Sequence, residues 1–495
     1  MSAVRSPLEA LVAHAAEAPE RVILRDLDGQ QLSRRELLNA VATMVGRLAS
    51  HGLGEGHGER PVVGLLVSDG IPWTVSLLAL ESLGACPVLL PDFFSDQQLV
   101  AILEDSAAQV VIADPSGSAR LAQAGVASLA PWSAELSGGA AVLPLPRGRG
   151  VQMVYSSGTS GQPKGVVQHT ALLDAKAAAL IDVVGASAQD HVLSILPMAL
   201  LLEQMVAVRA ALQVGASVTF AQQVLRQGVP QALVAAAQAC QPTIAVLTPD
   251  LLKAWVAGLA QGQRRAPASL RFLAVGGAAV APALAEVAWG LGLPVYEGYG
   301  LTETCSVATV NRPGQRVVGS VGWPLPGVRV VIEKGEVVIE SEQLLAAYHH
   351  APEVNGACGR WYTGDLGRLA EDGSLEIFGR RDARLVLSSG RTVSPEWVES
   401  VLLADPRIAY CCALAADAPT PVAVIEVQRG QDVTQIEALA HALVAGLPAY
   451  ARPERLILVE AGTFAACGVL TGNGRLQRKR ALTLWGTECA APVFS

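Results

Sequence analysis

From residue 154 the chain reads Val154-Tyr-Ser-Ser-Gly-Thr-Ser-Gly-Gln-Pro-Lys-Gly-Val-Val-Gln-His169. Next to Ser156, three further hydroxyls (Ser157, Thr159, Ser160), two turn glycines (Gly158, Gly161) and Lys164 crowd into one short stretch after an apolar, strand-like run. Glycines let backbone N–H groups turn toward an anion, and hydroxyls add further donors. A lysine brings a mobile positive charge suited to a departing polyphosphate. The spacing is not that of the G-x-x-x-x-G-K-[ST] phosphate loop, because Lys164 follows Pro163 and precedes Gly165. A Ser/Gly stretch by itself is an ordinary surface loop, so the partners further along must decide.

The first of these is Val295-Tyr-Glu-Gly-Tyr-Gly-Leu-Thr-Glu-Thr304. Gly298 and Gly300 allow backbone to approach a planar ligand, and Tyr299 between them offers an aromatic face for a purine. Thr302 is placed to donate to an α-phosphate. Glu303 is placed to hold Mg2+, a cation that takes hard oxygen ligands together with substrate phosphates.

The run Tyr-Ser-Ser-Gly-Thr-Ser-Gly-x-Pro-Lys-Gly resembles the signature of the adenylate-forming superfamily. That family comprises acyl- and aryl-CoA synthetases, adenylation domains of nonribosomal peptide synthetases and beetle luciferases. Four further motifs follow in the family's order, so the resemblance covers nearly the whole chain. It implies that Asp365, in Trp361-Tyr-Thr-Gly-Asp-Leu-Gly367, grips the ribose hydroxyls. It also implies that Arg380 contacts ribose or phosphate and that Asp382 is a hinge. The run Val386-Leu-Ser-Ser-Gly-Arg-Thr-Val-Ser-Pro395 is similar to the form found in longer-chain acyl-CoA synthetases.

Peptide synthetases place an aspartate five residues before the glutamate of their next motif, where it binds the substrate's ammonium group. Here that glutamate is Glu203 and the position holds Met198, while Leu200 stands where acyl-CoA synthetases have histidine. An ammonium buried without a carboxylate is costly, which argues against α-amino acids. Gly276 and Gly277 resemble a turn beside the acid pocket, though a plain turn reads almost as well. The sharpest departure is Leu470-Thr-Gly-Asn-Gly-Arg-Leu-Gln-Arg-Lys-Arg480, where Arg475 replaces the family's catalytic lysine. Arginine keeps the charge and adds a bidentate fork. Lys479, four residues on, is the other candidate if that segment is helical.

The resemblance therefore implies a ligase that uses ATP and Mg2+ to turn a carboxylic acid, fatty or otherwise apolar or aryl, into an acyl-adenylate. The acyl group then passes to the thiol of CoA, or alternatively to the phosphopantetheine of an acyl carrier protein. A non-catalytic acyl-adenylate-binding protein, degenerate at Arg475, is the rival from another class. Intact Lys164, Glu303 and Asp365 argue against it.

These residues need a scaffold. A chain of 495 residues exceeds one compact core, and 51% apolar against 16% charged residues excludes disorder. A formal charge of −8 argues against a nucleic-acid partner, and the arginines of 475–480 read as a solvated helix end. With Glu9 and no long apolar core near residue 1, no signal peptide is expected. The most apolar stretch, 195–221, is broken by Glu203, Gln204 and Arg209, so no transmembrane segment is expected. Scattered cysteines without C-x-x-C spacing fit a reduced, cytoplasmic protein.

Strand-like and helical patterns alternate through the first 130 residues and again from 191 to 300, predicting an α/β fold with mostly parallel sheets. Residues 319–340 predict a small antiparallel barrel or sheet. The expected organisation is a large N-terminal domain, 1–381, binding ATP and acid. A small mobile α+β domain, 382–495, follows the hinge at Asp382.

Overall fold

Runs without a polar face become central strands, because a strand covered on both sides has no solvent face to mark. Cys86–Leu89 and Ile244–Leu247 are buried along their whole length. The computed structural model describes residues 4–53, 60–135, 143, 145, 150–156, 164–226, 229–341, 347–350, 359–381, 385–388, 391–415, 419–470 and 476–486.

Among these residues two large sheets carry the N-terminal part. One has nine strands. Its parallel centre runs in the spatial order Val295–Leu301, Phe272–Val275, Ile244–Leu247, His191–Ser194, Ser217–Phe220 and Val22–Asp26. Antiparallel strands close both edges, including Ser306–Val310 beside Val295–Leu301. The other sheet has seven strands, with Val62–Leu66, Cys86–Leu89, Val110–Ala113 and Val151–Ser156 parallel near its centre. Lys164–His169 folds back antiparallel on Val151–Ser156, and Ala347–Tyr348 adds to its outer edge.

Helices start and stop where local chemistry dictates. Ser33 caps the helix Arg34–Ser50 in a reciprocal box with Glu36, satisfying two backbone donors at once. The apolar stretch 195–221 is broken by a change of structure as well as by charge. It contains the helix Leu201–Glu203, the π-helical turn Gln204–Ala210, the helix Ala211–Val214 and the strand Ser217–Phe220. Among the described residues no helix is long and apolar enough to cross a membrane.

Residues 319–340, expected as a small barrel or sheet, supply the strands Arg329–Glu333 and Glu336–Glu340 of a four-stranded antiparallel sheet completed by Arg360–Leu369 and Leu375–Arg380, while Trp323–Pro324 joins the nine-stranded sheet. Beyond it lies a smaller α+β unit. There Ile408–Leu414, Val422–Val427 and Arg455–Val459 form a sheet, and the helices Pro395–Leu402, Val433–Val444 and Arg478–Trp485 accompany it. Its two apolar clusters draw only on residues 385–485.

Candidate active site

Four neighbouring parallel strands end at the same side of the nine-stranded sheet: His191–Ser194, Ile244–Leu247, Phe272–Val275 and Val295–Leu301. Met198 and Leu200 follow the first, Gly276 and Gly277 the third, and Gly298–Glu303 end the fourth. The carboxyl ends of such strands are where open α/β sheets bind ligands. Sheet order thus gathers motifs that are a hundred residues apart. Gly277 has φ +90°, which an L side chain rarely adopts, and a Cβ on Gly300 would lie 1.8 Å from the Ser306 carbonyl oxygen. Gly300 is therefore required by strand crossing as well as by any ligand.

On one flank Tyr299 donates its hydroxyl to Asp365 Oδ2 at 2.5 Å, and Arg380 Nη1 donates to Asp365 Oδ1 at 3.2 Å and to the Thr363 carbonyl at 2.9 Å. Asp365 and Arg380 are register partners on adjacent antiparallel strands, which fixes their approach. Burial, followed by the Asp365 carboxylate, raises Tyr299 well above its ordinary pKa, so the phenol stays a neutral donor. The half-buried ring packs against the apolar cluster of the four-stranded sheet. Besides offering a face, Tyr299 holds the aspartate.

On the other flank Lys164 opens the strand Lys164–His169, exposed, with Ser156 as its register partner across the hairpin. The loop residues Ser157, Gly158, Thr159, Ser160 and Gly161 lie outside the described residues, as does the Ser156 side chain. Lys164 Nζ sits 5.8 Å from the centre of the Tyr348 ring, within cation–π reach. Tyr348 donates to Glu303 Oε1 at 2.9 Å. Burial, then Glu303, raises the Tyr348 pKa and keeps it a donor. Thr302, Glu303 and Thr304 form one 3-10 turn whose Thr302 carbonyl accepts from Gln168 Nε2 at 2.7 Å.

Sequence reasoning missed Tyr348 and Gln168. Tyr348 is brought in by pairing with Val166, which no local pattern announces. Gln168 had a weak signal, an amide that follows the apolar pair Val166-Val167 and is buried within its strand. A second set of metal-type donors, Asp105, His349 and His350, has ligand atoms within 4.8 Å of one another, with Tyr155 donating to Asp105 Oδ2 at 2.6 Å.

On the acid side Met198 is buried, its sulfur facing Ser194 and Gln222. It lines a cavity of about 50 Å³ with Val67, Ser68, Leu90, Gln222 and Arg226. That is room for a water or two at ~30 Å³ each. Leu200 is half-buried at the start of the Leu201–Glu203 helix. Glu203 is fully buried, and among the described residues neither carboxylate oxygen accepts a hydrogen bond of ordinary geometry. Burial pushes its pKa up to about 8, while Ser194 and the main chain at Ile195 and Leu196 partly oppose this.

Arg475 and Asp382 lie outside the described residues. One expectation nearby is corrected. The 475–480 stretch is not uniformly a solvated helix end, because Arg478 is only 22% exposed and paired with Glu396 and Glu399. The charge run hid two partners some eighty residues earlier. Lys479 lies in the first turn of the Arg478–Trp485 helix and is exposed.

Comparison with known proteins follows this geometry. A family model for the AMP-binding enzymes matches residues 11–349. A 2-succinylbenzoate–CoA ligase from a Geobacillus species is 28% identical over 91% of this chain and 93% of its own length. The fold is similar to o-succinylbenzoate CoA synthetase from Bacillus subtilis in complex with its acyl-adenylate intermediate, with a TM-score of 0.82, 23% identity and 98% of both chains covered. An anthranilate CoA ligase in complex with anthranoyl-AMP gives a TM-score of 0.83 at 22% identity, again covering 98% of each chain.

Proposed function

Since the chain belongs to the family of AMP-binding enzymes, we propose that it activates a carboxylic acid with ATP and transfers the acyl group to the thiol of CoA. The observation that carries this reading is the pairing of two flanks around one strand and its following turn. Lys164, Tyr348 and Glu303 stand on one side, and Tyr299, Asp365 and Arg380 on the other.

In the first step a carboxylate oxygen of the acid bonds the α-phosphorus of ATP, and the bond from that phosphorus to pyrophosphate breaks. Asp365, aimed by Tyr299 and Arg380, accepts from the ribose hydroxyls. Thr302 donates to the α-phosphate. Lys164 and the loop residues 156–161 stabilise the departing pyrophosphate, and Arg475 offsets charge between acid and nucleotide. Magnesium fits the Glu303 carboxylate, since among the described residues Tyr348 engages only its Oε1; when bound, the ion neutralises charge on the phosphates. The protein's work is then positioning and electrostatic stabilisation. In the second step the CoA sulfur bonds the acyl carbon, its proton passes to solvent, and AMP leaves.

The same proposal divides the chain into domains 1–381 and 382–495 and puts the hinge at Asp382. The separate apolar clusters beyond residue 385 support it. For the acid we favour an aryl carboxylate over a fatty acid, on the strength of the 2-succinylbenzoate ligase relative. Met198 in place of an aspartate disfavours an α-amino acid, whose buried ammonium would lack a counter-charge.

Acid-dependent exchange of pyrophosphate into ATP, run over aryl, fatty and amino acids, tests the first step. CoA and a carrier protein, offered in turn, test the second. The reading expects exchange with an aryl acid and a CoA thioester. Nucleotide binding without exchange for any acid would favour the binding-protein alternative instead.

A further inference from the structure

Gln152 and Gln168 face each other as register partners on the antiparallel strands Val151–Ser156 and Lys164–His169, and both are fully buried. Gln152 Nε2 donates to Gln168 Oε1 at 2.9 Å and to Gln204 Oε1 at 3.0 Å, while its Oε1 accepts from Arg209 Nη2 at 3.3 Å. Gln168 Nε2 completes the path on the Thr302 carbonyl. Gln152 and Gln168 each accept on the side of the cation and donate on the side of the turn, whereas Gln204 is a side branch that only accepts from Gln152. Polarisation therefore runs one way, from Arg209 to the main chain that carries Thr302 and Glu303.

Both ends of the path are unusual in their backbone. Gln204 and Arg209 lie five residues apart in the π-helical turn Gln204–Ala210. At α-helical spacing such residues point about 140° apart, whereas i→i+5 bonding brings them toward one face. Both reach Gln152. At the far end Cys305 and Ser306, neither a glycine, adopt φ of 53° and 78°. This left-handed pair directly follows the 3-10 turn, and L residues hold such a conformation only where surrounding contacts enforce it. The Thr302 carbonyl is where Gln168 and the Cys305 N–H meet.

We propose that Gln168 is a positioning residue for the adenylation step, setting the 302–304 turn through the Thr302 carbonyl, with Gln152 and Arg209 as the chain behind it. The inference rests on the reading of Thr302 and Glu303 as phosphate- and metal-directed groups given above. It assigns the buried amides a task on one half-reaction only, because transfer to the thiol no longer needs the pyrophosphate-side metal.

Gln168→Met keeps the side chain's length and removes its terminal donor. Exchange kcat should fall about 10–100-fold, as for other groups that orient a metal ligand. The KM for the acid should stay within about twofold, and the Mg2+ concentration for half-maximal rate should rise. Thioester formation from supplied acyl-adenylate should change by less than about threefold. Gln152→Met should give the same selective pattern at smaller size, and the double variant should be little worse than Gln168→Met alone. If Gln168→Met does not fold, Gln152→Met decides by the same comparison of half-reactions. Unchanged exchange kcat, or equal losses in both half-reactions, would overturn the proposal. Absence of acid-dependent exchange in the unmodified chain would overturn the functional reading, and this inference with it.

Discussion

Arg209 donates to Asp174 at 2.6 Å and to Glu81 at 2.5 Å with its side chain 1% exposed, whereas Arg478 donates to Glu396 at 3.0 Å and to Glu399 at 2.8 Å with its side chain 22% exposed. Each guanidinium is held between two carboxylates, one in the larger part of the chain and one in the smaller. The Arg209 site is closed. Burial pushes Asp174 up to about 6 even with Arg209 beside it, so that clamp is dry enough to work against its own charges. Burial likewise raises Glu399 although Arg478 is beside it. In both clamps the carboxylates outweigh burial and raise the guanidinium, so what differs is the water access of the arginine and of Glu396.

The difference in water access matches a difference in task. Arg209 ties the π-helical turn to two helices, through Asp174 and Glu81, and to Gln152 at the head of the path of amides. Arg478 starts the last described helix three residues after Arg475 and ties it to the helix Pro395–Leu402. It fixes where that helix begins, and one of its two carboxylates, Glu396, stays nearer water.

Removing each arginine is the strongest way to break the comparison. Arg209→Met strands two buried carboxylates and should cost about 3–5 kcal/mol in urea denaturation. Arg478→Met strands one buried carboxylate, Glu399, and leaves the other, Glu396, nearer water, and should cost about 1–3 kcal/mol. Equal losses would mean that burial does not separate the two clamps.

Next in size is the chemistry that the outer clamp serves. Arg475→Ala should raise the adenylation barrier by about 2–4 kcal/mol, with thioester formation from supplied acyl-adenylate nearly intact. Arg478→Met should act in the same direction but more weakly, about tenfold in rate. Half-reactions measured separately check both. Full exchange activity in Arg475→Ala, with loss in Lys479→Ala, would hand the role to Lys479.

Buried ionisable groups without an ion-pair partner among the described residues give a third contrast, legible in pH. Glu203 rises from 4.5 to about 8 on folding, so between these values the folded chain holds a proton that the unfolded chain has released. Its contribution is therefore full below pH 4.5 and lost as pH rises to about 8. Burial lowers Lys176 from 10.5 to about 8, with Cys305 opposing weakly, so its contribution is recovered between those two values as pH rises. Glu203→Gln should flatten the decline by about 1 kcal/mol per pH unit, and Lys176→Met should flatten the recovery to a similar degree. Chemical denaturation across pH 5–10 reads both. A parallel pH profile in Glu203→Gln and the unmodified chain would show that Glu203 does not titrate as its burial requires.

The smallest effect is expected at Lys479. It is exposed on the same helix as Arg478, and its replacement by alanine should change stability by less than about 0.5 kcal/mol. Thermal unfolding measures it, and a larger loss would mean that this helix depends on more than the Arg478 clamp.

Much of the α/β alternation could be read from the sequence because its strands are buried on both faces and appear as uninterrupted apolar runs. The helical patterns expected within the first 130 residues include the helices Arg34–Ser50 and Asp96–Ser106. Motif residues could be placed at strand ends for the same reason. What local pattern could not carry was pairing at a distance. Tyr348 reaches Glu303 only because its short strand joins Lys164–His169. Arg478 looks solvated until the helix Pro395–Leu402 is folded against it. Gln204 and Arg209 interrupt an apolar stretch and read only as polar breaks in it. A search for the ordinary helical period misses them, because the turn they occupy follows a different one.

The most direct test mixes the unmodified chain with one molar equivalent of ATP, excess Mg2+ and an aryl carboxylate, omits any thiol, and identifies the phosphorus products and the bound species. The account requires release of pyrophosphate together with an enzyme-held acyl-adenylate that converts to a thioester and AMP when CoA is added. Release of ADP and inorganic phosphate, or recovery of intact ATP for every acid tried, would contradict it.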